Sequence, residues 1–141
     1  MKKILISTGG TGGHVIPAQV IYDYLYNKNE VIITTDNRGL NYIDKNIYKT
    51  KKIDVPKISK NILDFIPFII FFTLSFLNSY FFLKQKKIKI LISTGGYMSI
   101  PTCLAARILK LKIFLFEPNL ILGKANLFLL NYCNKIFTYS K

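Results

Sequence analysis

The octapeptide KILISTGG occurs twice in this chain, as Lys3–Gly10 and as Lys89–Gly96. Each copy joins a short apolar run, typical of a buried parallel strand, to a glycine pair that begins a turn. Ligands of open α/β sheets bind at the carboxyl ends of the strands, where glycine lets backbone amides approach an anion closely. A following helix adds free N–H groups and the positive end of its dipole. The repeat therefore predicts two turns at one sheet edge that suit a diphosphate.

Strands and helices alternate along the rest of the chain. The predicted strands are Ile4–Ile6, Glu30–Thr35, Lys52–Val55, Ile88–Ser93, Lys112–Phe116 and Lys135–Thr138. The predicted helices are Pro17–Tyr26, with Pro17 in its first turn, Ser99–Leu109 and Gly123–Tyr132, while Asn37–Lys51 is expected to be a loop with a short helix at most. Apolar strands separated by helices predict a Rossmann-like α/β domain, in which helices cover both faces of a parallel sheet.

Length and composition favour one folded domain over residues 1–141, because half of the residues are hydrophobic. The chain has 20 Lys and Arg against 7 Asp and Glu, and the net charge of +13 favours an anionic partner such as a membrane surface or a phosphorylated substrate. Nearly all of this charge is Lys, with Arg38 and Arg107 the two arginines, so a compositional drift towards Lys is an equal alternative. No nucleic-acid recognition motif accompanies the charge, and no nucleic-acid partner is expected.

The cysteines and the amino terminus give little sign of secretion or metal binding. Cys103 and Cys133 fit no metal spacing and no disulfide framework, and small buried side chains in a reducing compartment are the favoured interpretation. The apolar run Ile4–Ile6 is too short for the core of a signal peptide. We therefore expect a cytosolic orientation.

The first turn, GGTGGH from Gly9 to His14, invites comparison with a dinucleotide-binding turn. That turn needs the pattern G-x-G-x-x-G, and a match that starts at Gly10 puts Val15 in place of the third glycine. Asp36, after the second predicted strand, could imitate the acidic residue that binds an NAD ribose, but an ordinary turn residue is favoured. No cofactor and no metal site are expected.

Two glycine motifs resemble those of the membrane-associated N-acetylglucosaminyltransferases of peptidoglycan synthesis, which belong to glycosyltransferase family 28. GGTGGHVIPA, Gly9–Ala18, is similar to the first glycine loop of that family. GGYMSIP, Gly95–Pro101, is similar to its second, with Ile100 where glycine is common. The match extends over essentially the whole chain. It implies the amino-terminal, acceptor-binding half of a GT-B glycosyltransferase.

A third motif strengthens the resemblance. Glu117-Pro118-Asn119 is similar to the glutamate-x-asparagine motif of the family, with Pro118 where Gln is usual and Phe116 where His is usual. The resemblance implies an inverting transfer of N-acetylglucosamine from UDP-N-acetylglucosamine to undecaprenyl-diphospho-muramoyl-pentapeptide. A non-catalytic membrane-bound module that binds a lipid-linked diphosphate sugar is the alternative.

The chemistry of the implied reaction and the resemblance together suggest roles for individual residues. His14 is the candidate base, because a helix amino end favours the neutral imidazole that accepts a proton, although a hydrogen bond to backbone or phosphate is equally plausible. Glu117 is a weaker candidate, and a structural hydrogen-bonding role is slightly favoured for it. By resemblance, the donor would contact Thr11, Gly12, Gly13 and Asn119, and we expect the acceptor diphosphate to contact Gly10, Gly95, Gly96, Tyr97 and Ser99. A helix cap or turn is the alternative role for Asn119, and core packing is the alternative for Tyr97.

The uncharged stretch Phe65–Leu83, FIPFIIFFTLSFLNSYFFL, predicts a crossover helix with a membrane-facing side. Its 19 residues could extend about 28 Å as a helix, but a spanning segment would separate two halves of one sheet. We expect an interfacial helix, with a fully buried helix as the alternative. The residues expected at the lipid surface are Phe68, Phe71, Phe72, Phe76, Lys84, Lys86 and Lys87.

In the family that the chain resembles, a second, carboxyl-terminal domain holds most of the nucleotide. No such segment occurs in residues 1–141, so we expect the chain to need a donor-binding domain or subunit and to turn over little alone. A fragment, a subunit of a split enzyme and a decayed product are all compatible with the sequence. The expected location is the cytoplasmic face of the plasma membrane, as a peripheral protein.

Overall fold

The computed structural model describes residues 1–56 and 65–138. Six parallel strands form one sheet in the order β3-β2-β1-β4-β5-β6. The strands are β1 (Lys3–Ser7), β2 (Glu30–Thr35), β3 (Thr50–Lys52), β4 (Ile90–Ser93), β5 (Lys112–Glu117) and β6 (Lys135–Thr138). The helices are α1 (Gly12–Leu25), α2 (Asn37–Leu40), α3 (Phe65–Gln85), α4 (Ile100–Ile108) and α5 (Lys124–Leu129).

Helices pack on both faces of the sheet, which confirms the predicted Rossmann-like class. Because side chains alternate along a strand, Ile4 and Ile6 of β1 point to one face and Leu5 to the other. The first face packs against α1, with Val15 and Ala18 fully buried. The opposite core contains residues of α3, α4 and α5, among them Leu83, Cys103, Ala105, Ala106 and Leu129. Burial raises the pKa of the Cys103 thiol to about 12, so this cysteine is an inert core residue.

The two copies of the repeat lie side by side in the centre of the sheet. Their partners in the β1–β4 ladder run from Ile4 and Ile90 to Ser7 and Ser93, so equivalent positions of the octapeptide pair with each other. Both glycine pairs therefore emerge at the same carboxyl edge. This arrangement brings the two turns into contact.

Several predicted element boundaries differ from the structure, among them the end of α5 at Leu129 and the start of β4 at Ile90. The differences at α1 and β3 have a local reason. Helix α1 begins at Gly12, not at Pro17, because the Thr11 carbonyl accepts from the amides of His14 and Val15 and starts the helix within the glycine run. Strand β3 is Thr50–Lys52, not Lys52–Val55, because its partner β2 ends at Thr35, opposite Lys52. Val55 is buried without belonging to the ladder.

Helix α3 departs from the usual surface-helix pattern on both of its sides. Its buried residues include two serines: Ser75 Oγ lies within hydrogen-bonding distance of the Asp54 and Phe71 carbonyls, and Ser79 Oγ is 3.0 Å from Thr102 Oγ1 of α4. Leu83 is buried and Phe76, Tyr80 and Phe82 pack against the core, but many of the other apolar side chains face outward. The large exposed hydrophobic residues of this helix are Phe65, Ile66, Ile69, Ile70, Phe71, Leu74, Leu77 and Phe81.

Candidate functional site

The two glycine turns interlock at the carboxyl edge of β1 and β4. A Cβ on Gly9 would lie 2.6 Å from Cβ of Met98, and one on Gly96 would lie 3.1 Å from the Gly9 carbonyl oxygen. These separations leave no room for a side chain. Glycine is required at both positions because the second turn packs directly on the first.

The first turn presents backbone groups at the surface of the protein. Gly10 has a φ of 85°, a conformation that favours glycine, and its amide donates to Oδ1 of Asp36 at 3.1 Å. Thr11 and Gly13 are exposed at the start of α1. The first amides of a helix have no intrahelical acceptor, so this end of α1 offers donors to an anion.

The second turn lies mostly behind the first. Gly95, Met98 and Ser99 are buried, and Ser99 Oγ donates to the Gly96 carbonyl at 2.8 Å. Ser99 therefore stabilises the turn and does not reach the surface where a ligand would bind. Of the predicted diphosphate contacts in this turn, Gly96 and Tyr97 are partly exposed.

His14 joins the two turns. Its Nδ1 lies 2.8 Å from the carbonyl oxygen of Thr94, and because a carbonyl can only accept, Nδ1 carries the proton of that bond. In the neutral ring this leaves Nε2 as a proton acceptor. The ring packs against Gly95, where a Cβ would lie 3.1 Å from its Cε1. The second turn thus sets both the tautomer and the position of the imidazole.

Glu117 organises the loop between β5 and α5. Its Oε1 accepts from the backbone and side-chain amides of Asn119 at 3.1 and 2.7 Å, and its Oε2 accepts from the Gly123 amide and Asn126 Nδ2, both at 2.9 Å. Burial opposes ionisation, but these hydrogen bonds outweigh it and hold the pKa of Glu117 below its usual value. Both oxygens are engaged, so this geometry favours the structural interpretation of Glu117.

One pocket is lined by residues from all three motifs. It has a volume of about 360 Å³ and is bounded by the second turn, His14 and the β5–α5 loop. Asn119 is exposed there, and because its Nδ2 donates to Glu117, its Oδ1 remains as an acceptor. The lining residues are His14, Gly96, Tyr97, Glu117, Asn119, Gly123, Lys124, Ala125 and Asn126. Thr11, Gly12 and Gly13 are not among the residues that line this pocket.

Unpartnered polar groups are concentrated at the same edge. In the described ranges, the buried side-chain oxygens without a hydrogen-bond partner are Oγ1 of Thr8, Thr35 and Thr94 and Oδ1 of Asn126. Thr8 and Thr94 occupy equivalent places in the repeat, directly before the glycine pairs. Buried polar groups are normally paired, so this edge is the part of the fold that is least satisfied internally.

Asp36 and Arg38 lie beside the first turn. Asp36 accepts from the amides of Gly10 and Gly39 and from Nε of Arg38, and these bonds occupy its carboxylate. An NAD ribose is therefore not a fitting partner for Asp36, in agreement with the turn-residue interpretation. No role for Arg38 was predicted from the sequence. The available signal was an arginine two residues after a strand-end aspartate in a chain rich in Lys.

The residues expected at the lipid surface differ in how exposed they are. Phe71, Lys84, Lys86 and Lys87 are exposed, whereas Phe68, Phe72 and Phe76 are half-buried, and Phe76 packs against the core. An exposed apolar stripe instead runs through Ile66, Ile70, Leu74, Leu77 and Phe81 and ends near Lys84. By length and a mean hydropathy of 1.8, α3 is also long and apolar enough to cross a membrane.

Comparison with known sequences places these features in a family. The profile of the glycosyltransferase family 28 N-terminal domain matches residues 4–138. The chain belongs to this family. The three motifs that build the pocket all fall within the matched region of this family 28 domain.

Two relatives show how similar this family 28 domain is to known proteins. It is 52% identical over 139 residues to the UDP-N-acetylglucosamine–N-acetylmuramyl-(pentapeptide) pyrophosphoryl-undecaprenol N-acetylglucosamine transferase of Pelagibacter ubique, covering 99% of this chain and 39% of the relative. It is 36% identical over 144 residues to the protein of the same name from Caldicellulosiruptor saccharolyticus, covering 95% and 38%. The chain thus spans about two fifths of the length of these relatives.

Solved structures agree on the fold. The structure of Acinetobacter baumannii MurG matches with a TM-score of 0.87 at 22% identity, covering all of this chain and 42% of that one. A UDP-N-acetylglucosamine 2-epimerase matches with a TM-score of 0.67 at 13% identity, covering 97% and 41%. At these identities the likeness establishes the architecture alone.

Proposed function

We propose that this family 28 domain binds the lipid-linked acceptor and supplies the base for transfer of N-acetylglucosamine from UDP-N-acetylglucosamine to undecaprenyl-diphospho-muramoyl-pentapeptide. The names of the relatives give this reaction, and the family membership of the chain supports it. Transfer requires a donor-binding domain or subunit in addition to residues 1–141. We place the reaction at the cytoplasmic face of the plasma membrane.

The reaction needs one proton transfer and one bond exchange. An acceptor hydroxyl oxygen attacks the anomeric carbon of N-acetylglucosamine, the bond from that carbon to the UDP oxygen breaks, and UDP leaves with the bonding electrons. Nε2 of His14 takes the hydroxyl proton. Asn119 Oδ1 is available to accept a hydrogen bond from a sugar, and Glu117 positions Asn119.

The observation that carries the proposal is the orientation of His14. The Thr94 carbonyl fixes the proton on Nδ1, and the ring lines a pocket shared with the second turn and the β5–α5 loop. A base must be held in one tautomer next to the place where the acceptor hydroxyl lies. The backbone of the second turn holds His14 in one tautomer and so meets the first of these two requirements.

A chimaera tests the proposal. Residues 1–141 would replace the matched segment of the Pelagibacter relative, and transfer from radiolabelled UDP-N-acetylglucosamine to a short-chain muramyl-pentapeptide lipid would be measured. We expect transfer by the chimaera and loss of transfer on His14→Ala. No transfer by a folded chimaera that still binds the acceptor would contradict the catalytic assignment and favour a non-catalytic binding module.

We also propose that the apolar stripe of α3 rests in the membrane interface. Its outward apolar side chains and inward serines suit a helix that has lipid on one side and protein on the other. The ends of α3 argue against spanning, because β4 follows it within the same sheet that contains β3. Lys84, Lys86 and Lys87 follow the stripe and would meet anionic headgroups.

Vesicle binding tests the membrane proposal. We expect Leu74→Asp to lower binding to phosphatidylglycerol vesicles by about tenfold or more, because an interfacial leucine contributes about 1.5 kcal/mol or more of burial. Asn78→Asp is the matched control, since it adds the same charge to an exposed polar position of α3. Equal losses of binding in both variants would mean that only the added charge matters. That result would contradict the proposal that the apolar stripe rests in the membrane interface.

A further inference from the structure

The side chain of Arg38 lies against the outer side of the first glycine turn. Its Nε donates to Oδ2 of Asp36 at 3.0 Å. A Cβ built on Gly10 would lie 3.3 Å from Nη2, so the guanidinium covers this glycine. The side chain is 48% exposed. Within the described ranges Nε is the nitrogen of Arg38 that hydrogen-bonds, and the Nη groups remain available as donors.

Asp36 holds this guanidinium in place. It is buried at the end of β2, where the Gly10 amide at 3.1 Å and the Gly39 amide at 2.9 Å donate to the same oxygen, Oδ1. Burial opposes its ionisation, but the amides and Arg38 outweigh burial and lower the pKa of Asp36. One carboxylate therefore fixes both the amide of the turn and the arginine beside it.

The ion pair with Asp36 stabilises the charged form of Arg38. Its hydrogen bond to Asp36 is the main cause that raises its pKa, and the charge interaction with Tyr97 adds to this. Tyr97 lines the pocket that contains His14. The contacts with Asp36 and Gly10 place the guanidinium beside the first turn.

The two arginines lie at opposite edges of the sheet. Arg107 lies in the last turn of α4, next to a cleft with Lys110 and Lys112 at the amino end of β5. That is the edge of the sheet opposite to the glycine turns. Arginine binds phosphate through a planar fork of donors, whereas lysine acts as a point charge. Arg38 is therefore the one guanidinium of this chain at the carboxyl edge.

We propose that Arg38 is a phosphate-binding residue, whose Nη groups hold a diphosphate against the backbone amides at the start of α1. This inference rests on the proposed function for its ligand class. Two sources supply the same chemistry there: the diphosphate of the lipid-linked acceptor and that of UDP. Asp36 is the positioning residue, because it acts through Arg38 and through the amide of Gly10.

Titration calorimetry of the 141-residue chain with inorganic pyrophosphate tests the inference. We expect Arg38→Gln to weaken binding by about 10- to 100-fold, as for the loss of charge-assisted hydrogen bonds. Arg38→Lys should fall between this variant and the parent chain, because it keeps the charge and loses the fork. Arg107→Gln is the matched control and should change the affinity by less than about threefold, as for a distant surface charge.

Two further ligands distinguish the sources of the diphosphate. A loss of affinity in Arg38→Gln for geranyl diphosphate but not for UDP would assign Arg38 to the acceptor, and the reverse would assign it to the donor. Thermal unfolding of each variant would give the folded fraction, so that affinities are compared between folded proteins.

Three results of the binding experiment would overturn the inference. These are equal pyrophosphate affinity in Arg38→Gln and the parent chain, equal losses in Arg38→Gln and Arg107→Gln, and no binding of pyrophosphate at millimolar concentration by the parent chain. Failure of the proposed function is separate. Normal transfer by an Arg38→Gln chimaera would exclude the phosphate-binding role of Arg38 and leave the proposed function intact. Arg38-dependent pyrophosphate binding together with an inactive chimaera would support the role of Arg38 and contradict the proposed function.

Discussion

The two KILISTGG turns begin identically and end in different structures. β1 and β4 pair position for position, but the first turn leads straight into α1, whereas Tyr97–Ser99 forms one 3-10 turn before α4. The first pair has one glycine with positive φ, Gly10 at 85°, and the second has two, Gly95 at 96° and Gly96 at 82°. The residues after the glycines therefore decide the path of the backbone.

Because of this difference, the two turns suit different roles in the site. The first turn leaves its helix start exposed and next to Arg38, which suits binding of an anion. The second turn is mostly buried, and it supplies the Thr94 carbonyl and the space at Gly95 that orient His14. A repeated strand can thus form a binding turn and a supporting turn side by side.

The largest expected effect is on the residue that connects the turns. In the chimaera, His14→Gln should lower the transfer rate by about 10²- to 10⁴-fold, because the amide cannot accept the hydroxyl proton. Affinity for geranyl diphosphate should stay within a few fold. An affinity loss as large as the rate loss would instead make His14 a phosphate ligand, the other interpretation of its place at a helix start.

Matched glycine substitutions sharpen the comparison of the turns. Gly95→Ala should lower the free energy of unfolding by about 2–4 kcal/mol, since it combines a positive φ with a crowded contact to His14. Gly13→Ala should change it by less than about 1 kcal/mol, because the nearest heavy atom to its Cβ would be 3.8 Å away. Urea unfolding measures both. Equal costs would contradict the buried, supporting role of the second turn.

The loop behind the second turn should show a specific acid sensitivity. Glu117→Gln should lower the free energy of unfolding at pH 7 by about 2–3 kcal/mol, because the amide cannot accept all four hydrogen bonds. The pKa of Glu117 is lowered by folding, so its contribution is complete above the unfolded value of about 4.3 and is lost as pH falls through the folded value.

Urea unfolding between pH 7 and pH 3 checks this dependence. The stability of Glu117→Gln should fall less steeply with acid than that of the parent chain. Glu30→Gln is the control, because Glu30 also has a lowered pKa, from Lys49 and Lys3, but is partly exposed at the amino end of β2. A steeper contribution from Glu30 than from Glu117 would contradict the account of the loop.

The smallest expected effect concerns Ser99. Ser99→Ala should lower the free energy of unfolding by about 1 kcal/mol through loss of the bond to Gly96. Its pyrophosphate affinity should equal that of the parent chain, because the hydroxyl lies behind the turn. Weaker binding without a change in stability would restore the direct diphosphate contact that was predicted from the sequence.

Much of the architecture was predictable from short-range pattern. The apolar runs before each glycine pair predicted β1 and β4, and Phe65–Leu83 predicted α3, which extends two residues further, to Gln85. Strand-end position alone placed both turns at one edge, because parallel strands share their direction. The start of α1 was missed because glycine has low helix propensity, and the Thr11 carbonyl overrides it.

Burial within the site was not predictable in the same way. Whether Ser99 faces a ligand depends on Met98 packing against Gly9, which lies 89 residues away in the sequence. The outward stripe of α3 likewise follows from Ser79 meeting Thr102 on a neighbouring helix. These are tertiary contacts, and no local periodicity encodes them.

Backbone amide shifts would test the division between the turns most directly. The ¹⁵N-labelled chain would be titrated with geranyl diphosphate, and shifts of assigned glycine amides would be followed. We predict large shifts for Gly10, Gly12 and Gly13 and small shifts for Gly95. Large shifts at Gly95 with an unperturbed first turn would contradict the assignment of binding to the first turn and support to the second.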